Sequence, residues 1–129
     1  MSRSMDVIAA TGIGVSDLAR SSQFYQAALG MTETQTYHLG HMDEIVLANA
    51  GRNALVLMHW TDGSQPTYRN LPVKLIFHVA DGRETAEKIR HAGGEVTHLP
   101  KVYDALGGIA IGLAKDPDGY VIEFIQPAA

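Results

Sequence analysis

Two charged side chains in otherwise apolar segments are the strongest candidates for chemistry in this sequence. Glu123 alternates with Val121 and Ile125 just after the turn-forming residues 116–119, Asp-Pro-Asp-Gly, and Lys74 begins another β-prone segment. Burying either charge alone is costly, so a pair of the two is physically sensible if both side chains face one cavity. A carboxylate beside an ammonium in an apolar cavity can abstract a proton. The alternative is that Glu123 caps a hydrogen-bond network and that Lys74 is solvent-exposed.

Aromatic and sulfur-containing side chains suggest a pocket for a small molecule. Met58, Trp60, Tyr68 and Tyr103 lie on or near segments that we expect to border a cavity. Such side chains suit planar or apolar ligands. Their alternative role is in the core or at a dimer interface.

Three histidines are further candidates for the same site. His78 alternates with Lys74 and is expected at the cavity mouth, while His38 flanks a hairpin turn and His59 ends a strand. For each, an ordinary surface or hydrogen-bonded role is the alternative.

Composition excludes several classes of function. The chain has no cysteine, which rules out disulfides, thiolate metal sites and cysteine nucleophiles. A net charge of −4 does not indicate the positively charged surface that binding to nucleic acid or an anionic membrane needs. No apolar stretch is long enough for a signal peptide or a membrane span, so we expect a cytoplasmic protein. Neither a phosphate-binding loop nor a nucleophile elbow is evident.

The segments that position these residues follow one pattern twice. In the first half, a strand over residues 7–15 precedes helix N-cap chemistry at Ser16-Asp17, and Gly30 ends the helix. Strands are predicted at 32–38, 44–48 and 54–59.

The second half repeats the order of the first. A strand over 73–80 precedes a capping box of Asp81 and Glu84, and Gly93-Gly94 ends the helix. Strands are predicted at 95–98, 109–114 and 120–125, the last two joined by a type I turn over residues 116–119.

The two halves align at an offset of 64 residues, which places Val15 on Val79 and Gly30 on Gly94. We therefore predict one domain over residues 1–129, with a first module at about 6–60, a linker at about 61–72 and a second module at about 73–126. One module alone would leave a sheet face unburied, so pairing two modules is expected to enclose a cavity.

Three segments resemble the glyoxalase/bleomycin resistance/dioxygenase superfamily, also called the vicinal oxygen chelate superfamily. They are residues 15–31, which begin Val-Ser-Asp-Leu-Ala-Arg, residues 86–96, and residues 116–125, Asp-Pro-Asp-Gly-Tyr-Val-Ile-Glu-Phe-Ile. The resemblance implies an α+β fold of two tandem βαβββ modules that form a curved mixed sheet around a cavity. It does not specify one activity, because the superfamily includes lyases, epimerases, dioxygenases and drug-binding proteins.

The resemblance also implies four metal-ligand positions, on the first, fourth, fifth and eighth strands. Here those positions fall on Ala10, Val56, Lys74 and Glu123. Alanine and valine have no donor atom, and an ammonium is a poor ligand near neutral pH. We therefore expect no metal at these positions and an ion pair instead. The alternative is a displaced metal site in which His38 or His59 joins Glu123.

The expected function is that of a protein similar to the bleomycin resistance type, which binds a small apolar or aromatic molecule as a homodimer without a metal or other cofactor. The expected ligand-binding residues are His78, Met58, Trp60, Tyr103 and His38. The alternative is an enzyme of the superfamily, a lyase, isomerase or dioxygenase, acting through displaced metal ligands or with Glu123 as base and Lys74 as its electrostatic partner.

Overall fold

The computed structural model describes residues 7–64, 66 and 72–129, which form two helices and eight strands in the predicted order. The first half contains β1 (Thr11–Gly14), α1 (Leu18–Leu29), β2 (Thr32–His38), β3 (Met42–Asn49) and β4 (Arg52–Trp60). The second half contains β5 (Lys74–His78), α2 (Gly82–His91), β6 (Glu95–Tyr103), a 3-10 turn (Asp104–Leu106), β7 (Ile109–Lys115) and β8 (Val121–Gln126).

Each half forms its own four-stranded mixed sheet. The strand orders are β1-β4-β3-β2 and β5-β8-β7-β6. Within each sheet, the strand before the helix pairs parallel with the last strand, and the remaining neighbours pair antiparallel. A parallel pair needs a crossover connection, which the helix supplies. The α+β fold of tandem βαβββ modules is therefore confirmed.

Helix ends follow the predicted local signals. Asp17 caps α1 by accepting a hydrogen bond from the Arg20 N–H at 3.0 Å, and Gly30 ends it in the left-handed region at φ 65°. Asp81 caps α2 by accepting from the Arg83 and Glu84 N–H groups. The Glu84 carboxylate does not complete the predicted capping box but contacts Lys88 at 3.0 Å.

Two strand boundaries differ from the prediction by more than two residues. The first strand starts at Thr11, not Val7, because its ladder with β4 begins at the pair Thr11–Leu55; Val7 and Ile8 are exposed. The strand predicted at 95–98 extends to Tyr103 and includes Pro100. A proline is tolerated there because β6 is an edge strand.

Each sheet packs one face against the helices, and the second sheet leaves its opposite face open. In β8, Ile122 and Phe124 are fully buried in the core, so Glu123 between them points to the open face. In β5, Leu75 and Phe77 pack against the core, which places Lys74 and its alternate neighbours on the same open face as Glu123.

The helix-side core is continuous between the two modules. Residues of both halves form one buried cluster, and Gly94 lies where they meet. A Cβ at Gly94 would lie 2.7 Å from both Phe24 Cε1 and Ile89 Cγ2. Glycine at this position therefore allows α1 to approach the end of α2.

The predicted linker is described in part. Residues 61–64, 66 and 72 lie outside helices and strands. Residues 65 and 67–71, including the candidate Tyr68, lie outside the described residues.

Candidate functional site

The predicted ion pair is present. Lys74 Nζ lies 2.9 Å from Glu123 Oε1, with the lysine side chain 48% exposed and the glutamate side chain 16% exposed. Parallel pairing of β5 with β8 places Lys74 beside Val121 and Ile76 beside Glu123. The lysine therefore reaches diagonally across the ladder to the carboxylate, and it is at once partly solvent-exposed and paired with Glu123.

The surroundings of the pair are apolar. Leu113 on β7 lies directly opposite Glu123, and Ile76 and Ile125 flank the pair on the same face. A mostly buried carboxylate in such surroundings is costly without a partner. Lys74 supplies that partner, while its own stem stays partly in solvent.

The strand register relates the four implied metal positions to one another. Gly12 pairs with Val56 in the first sheet, and Ile76, 64 residues after Gly12, pairs with Glu123 in the second. Val56 therefore occupies the place in module 1 that Glu123 occupies in module 2. Ala10, the equivalent of Lys74, lies one residue before β1.

The side chains at these positions do not fit the metal ion that the superfamily resemblance implies. Glu123 offers one carboxylate, but the Lys74 ammonium is already bound to it. Neither Ala10 nor Val56 has a donor atom. Within the described residues, no three His, Asp or Glu side chains come together as a metal site. His59 instead lies with Nδ1 3.0 Å from the Val15 carbonyl oxygen.

The remaining predicted ligand-binding residues are dispersed. His78 is exposed on the open face that carries Lys74. Met58 lies beside β1, with its Cε 3.2 Å from the Cβ that a side chain at Gly12 would have.

Trp60, His38 and Tyr103 lie at the ends of their strands. Trp60 is half-buried as the last residue of β4. His38 and Tyr103 are on the outer edge strands β2 and β6, where His38 contacts Asp43 at 2.9 Å. The structure therefore brings neither His38 nor Tyr103 to the ion pair.

A cavity of about 320 Å³ lies between the two modules. Module 2 contributes residues 73–77, including Lys74, and module 1 contributes Thr11, Met31, Asn49, Ala54 and Leu55. We call it the seam cavity. Of the predicted site residues that the structure describes, Lys74 alone lines it. No sequence pattern indicated the other lining residues, because whether a core-facing or loop residue lines a cavity depends on how the two modules pack.

A hydrogen-bond network that joins the two modules was not predicted from the sequence. We call it the clasp. The Tyr25 hydroxyl of α1 donates to Asp116 Oδ2 at 2.7 Å, and Asp116 Oδ1 accepts from the N–H groups of Asp118 and Tyr120, both at 2.9 Å. The Tyr120 hydroxyl in turn donates to the Gly14 carbonyl at 2.9 Å. The predicted turn over residues 116–119 is confirmed, with Gly119 N–H donating to Asp116 O.

Burial perturbs both ionisable groups at the centre of the clasp. Burial first, and then the charge of Asp116, raises the pKa of the Tyr25 hydroxyl. Burial also raises the pKa of the Asp116 carboxyl, against the lowering effect of the hydrogen bonds from Tyr25 and the Tyr120 N–H. At neutral pH the tyrosine is therefore the proton donor of this pair.

No helix of the described part of the chain is both long and apolar enough to cross a membrane.

Comparison with known proteins places the chain among glyoxalase-type folds. The family model of the Glyoxalase/Bleomycin resistance protein/Dioxygenase superfamily matches residues 7–124. A probable lactoylglutathione lyase from Synechocystis sp. is 35% identical over 127 residues, covering 92% of this chain and 94% of the relative. A lactoylglutathione lyase from Neisseria meningitidis serogroup A is 32% identical over 124 residues, covering 90% and 87%.

Solved structures show the same fold at lower identity. An E144Q mutant of glyoxalase I from Zea mays superposes with a TM-score of 0.79 at 24% identity, covering 94% of this chain and 45% of the maize protein. TnmS3, an antibiotic binding protein from Streptomyces sp. CB03234, superposes with a TM-score of 0.74 at 22% identity, covering 98% and 100%.

The matched family model, the curated relatives and the tandem βαβββ architecture agree, and the chain belongs to the Glyoxalase/Bleomycin resistance protein/Dioxygenase superfamily.

Proposed function

We propose that the protein binds a small apolar or aromatic molecule beside Lys74 and Glu123, and that it does so without the metal ion implied by its superfamily. The observation that carries the proposal is the 2.9 Å ion pair. Of the four implied ligand positions, one carries a carboxylate, that of Glu123. It is bound by the ammonium of Lys74, which stands at another of the four positions.

The open face around the pair supports an apolar ligand. Ile76 is 56% exposed there, although isoleucine side chains are usually buried. A ligand covering this side chain would gain roughly 25 cal/mol for each Å² of apolar surface removed from water. The ion pair would then set the ligand's orientation through hydrogen bonds from Lys74 and to Glu123.

A thermal-shift screen of small apolar and aromatic compounds, run in chelator and again with added divalent metals, tests this proposal. We expect stabilising compounds in chelator, with the shift reduced in Glu123→Gln. Glu84→Gln is the matched control, because Glu84 also pairs with a lysine, Lys88, at 3.0 Å but lies on a helix surface. A ligand shift that appears only with metal would contradict the proposal.

Catalysis is the second candidate, favoured by the names of the curated relatives. Both the Synechocystis and Neisseria proteins are named as lactoylglutathione lyases, the first as probable. In such a reaction Glu123 would accept a proton from a carbon next to a carbonyl, and the Lys74 ammonium would stabilise the negative charge that develops on the carbonyl oxygen.

An assay for lactoylglutathione formation, with and without added divalent metal, tests this candidate. Turnover in chelator that is lost in Glu123→Gln would support Glu123 as the base. Turnover that requires metal would contradict it.

We also propose a homodimer. Leu99, Val102 and Leu106 are each more than half exposed on or just after the edge strand β6. Clustered exposed apolar side chains are typical of protein interfaces. Light scattering coupled to size-exclusion chromatography should give twice the chain mass for wild type, and Val102→Asp should lower that mass. A wild-type monomer at all concentrations would contradict the proposal.

A further inference from the structure

The seam cavity adjoins the open sheet face along the edge strand β5. Lys74 and Ile76 line it from the open face, and Phe77 lines it from the core side, where it packs against the continuous core. At about 320 Å³ the cavity is near the lower end of the range for small-molecule sites. It therefore suits the apolar part of a small ligand.

The Phe77 ring, which lines the seam cavity, is fixed in position by a contact on its core side. The Phe77 ring lies 6.4 Å from the Tyr25 ring, at an interplanar angle of 26°, and the Tyr25 hydroxyl is fixed by its hydrogen bond to Asp116. A wall held in this way is pre-organised, so less conformational entropy is lost when a ligand binds.

Lys74 gives the seam cavity a positively charged hydrogen-bond donor. It is the one charged residue among the described residues that line the cavity, and one of its three N–H donors reaches Glu123. The other two remain for a ligand. Thr11 adds a hydroxyl, and the Asn49 amide N–H donates to the Leu29 carbonyl at 3.4 Å. Among the residues that the structure describes, no carboxylate lines the cavity.

We propose that the seam cavity binds a small apolar monocarboxylate, with its hydrocarbon part against Ile76 and Phe77 and its carboxylate on Lys74. This inference rests on the proposed small-molecule function and assigns a class of ligand to it. The Lys74 ammonium bridges two carboxylates, that of Glu123 and that of the ligand, as its three donors allow.

Calorimetric titration with hexanoate, hexanamide and hexylamine tests the ligand class, because the three share a chain and differ in the charge of the head group. We expect hexanoate to bind about tenfold more tightly than hexanamide, since hydrogen bonds to charged groups are the stronger kind. Hexylamine should bind most weakly. Equal affinity for hexanoate and hexanamide would overturn the inference.

Variants locate the interaction. Lys74→Met should weaken hexanoate binding about tenfold and leave hexanamide binding unchanged. Lys88→Met is the matched control, since Lys88 is another half-exposed lysine paired with a glutamate. Ala54→Trp should abolish binding of both, because Ala54 is an exposed residue of the cavity wall and its substitution fills the space without disturbing the core. Hexanoate binding unaffected by both Lys74→Met and Ala54→Trp would overturn the inference.

The outcome separates this inference from the proposed function. If screened compounds bind in chelator and depend on Glu123 while hexanoate shows no preference, the monocarboxylate inference fails and the proposed function stands. If no compound of any class binds, both fail.

Discussion

Removal of the Tyr25 hydroxyl tests how the two modules are held together. Tyr25→Phe keeps the ring against Phe77 but deletes the 2.7 Å hydrogen bond to buried Asp116. A hydrogen bond to a charged group contributes about 1.5–3 kcal/mol, so we expect a loss of about 2 kcal/mol near neutral pH. For a chain of this size that corresponds to a fall of roughly 8 °C in Tm.

The pH dependence of this loss has a definite sign. Burial raises the pKa of Asp116 in the folded state, so its contribution to stability is complete below its unfolded pKa and is lost as pH rises through the folded pKa. The Tyr25 hydrogen bond lowers that pKa, and its removal raises it further. The stability deficit of Tyr25→Phe should therefore be larger at neutral pH than in acid.

Urea unfolding of wild type and Tyr25→Phe at several pH values measures both effects. Tyr37→Phe is the control, because Tyr37 is 41% exposed and its hydroxyl bonds within its own strand to Gln35. The control should change stability by less than about 0.5 kcal/mol. Equal stability of the two variants, or a Tyr25→Phe deficit that grows as pH falls, would refute the reasoning.

Two further predictions concern packing and charge. Gly94→Ala should destabilise the fold by about 1–3 kcal/mol in urea unfolding, because its Cβ would lie 2.7 Å from Phe24 and Ile89. Gly12→Ala should cost less, since the group it meets is the flexible end of Met58; an equal cost would contradict this account. Lys74→Met should lower thermal stability by leaving Glu123 unpaired, by about 1 kcal/mol given the exposure of the lysine. The double variant Lys74→Met/Glu123→Leu should restore that stability, and a double variant less stable than the single one would speak against a costly unpaired carboxylate.

Local signals explain what could be predicted from the sequence. Asp17 and Gly30 mark the ends of α1 because capping depends on neighbours within a few residues. The Lys74–Glu123 pair was predictable because the superfamily resemblance implies that both positions face the cavity. Strand alternation after the turn over residues 116–119 and the 64-residue repeat support the register of the two strands.

Features that depend on distant contacts could not be predicted in the same way. Asp116 and Tyr25 are 91 residues apart, and nothing local to either indicates the other. Residues 7–10 have the apolar composition of a strand, but the ladder with β4 begins only at Thr11. Most residues that line the seam cavity could not be predicted. Leu55 and Phe77, for example, face the core and cannot be told from ordinary core residues in the sequence.

Metal analysis of the untagged protein tests the central claim most directly. The protein should be purified without chelator, analysed for bound metals, and titrated with Ni²⁺, Zn²⁺ and Mn²⁺ by calorimetry, together with Glu123→Gln. If the Lys74 ammonium is bound to the Glu123 carboxylate, as the structure shows, the metal content should be far below one ion per chain. The metal affinities from the titrations should then be the same for wild type and Glu123→Gln. One tightly bound ion per chain that is lost in Glu123→Gln would contradict the account.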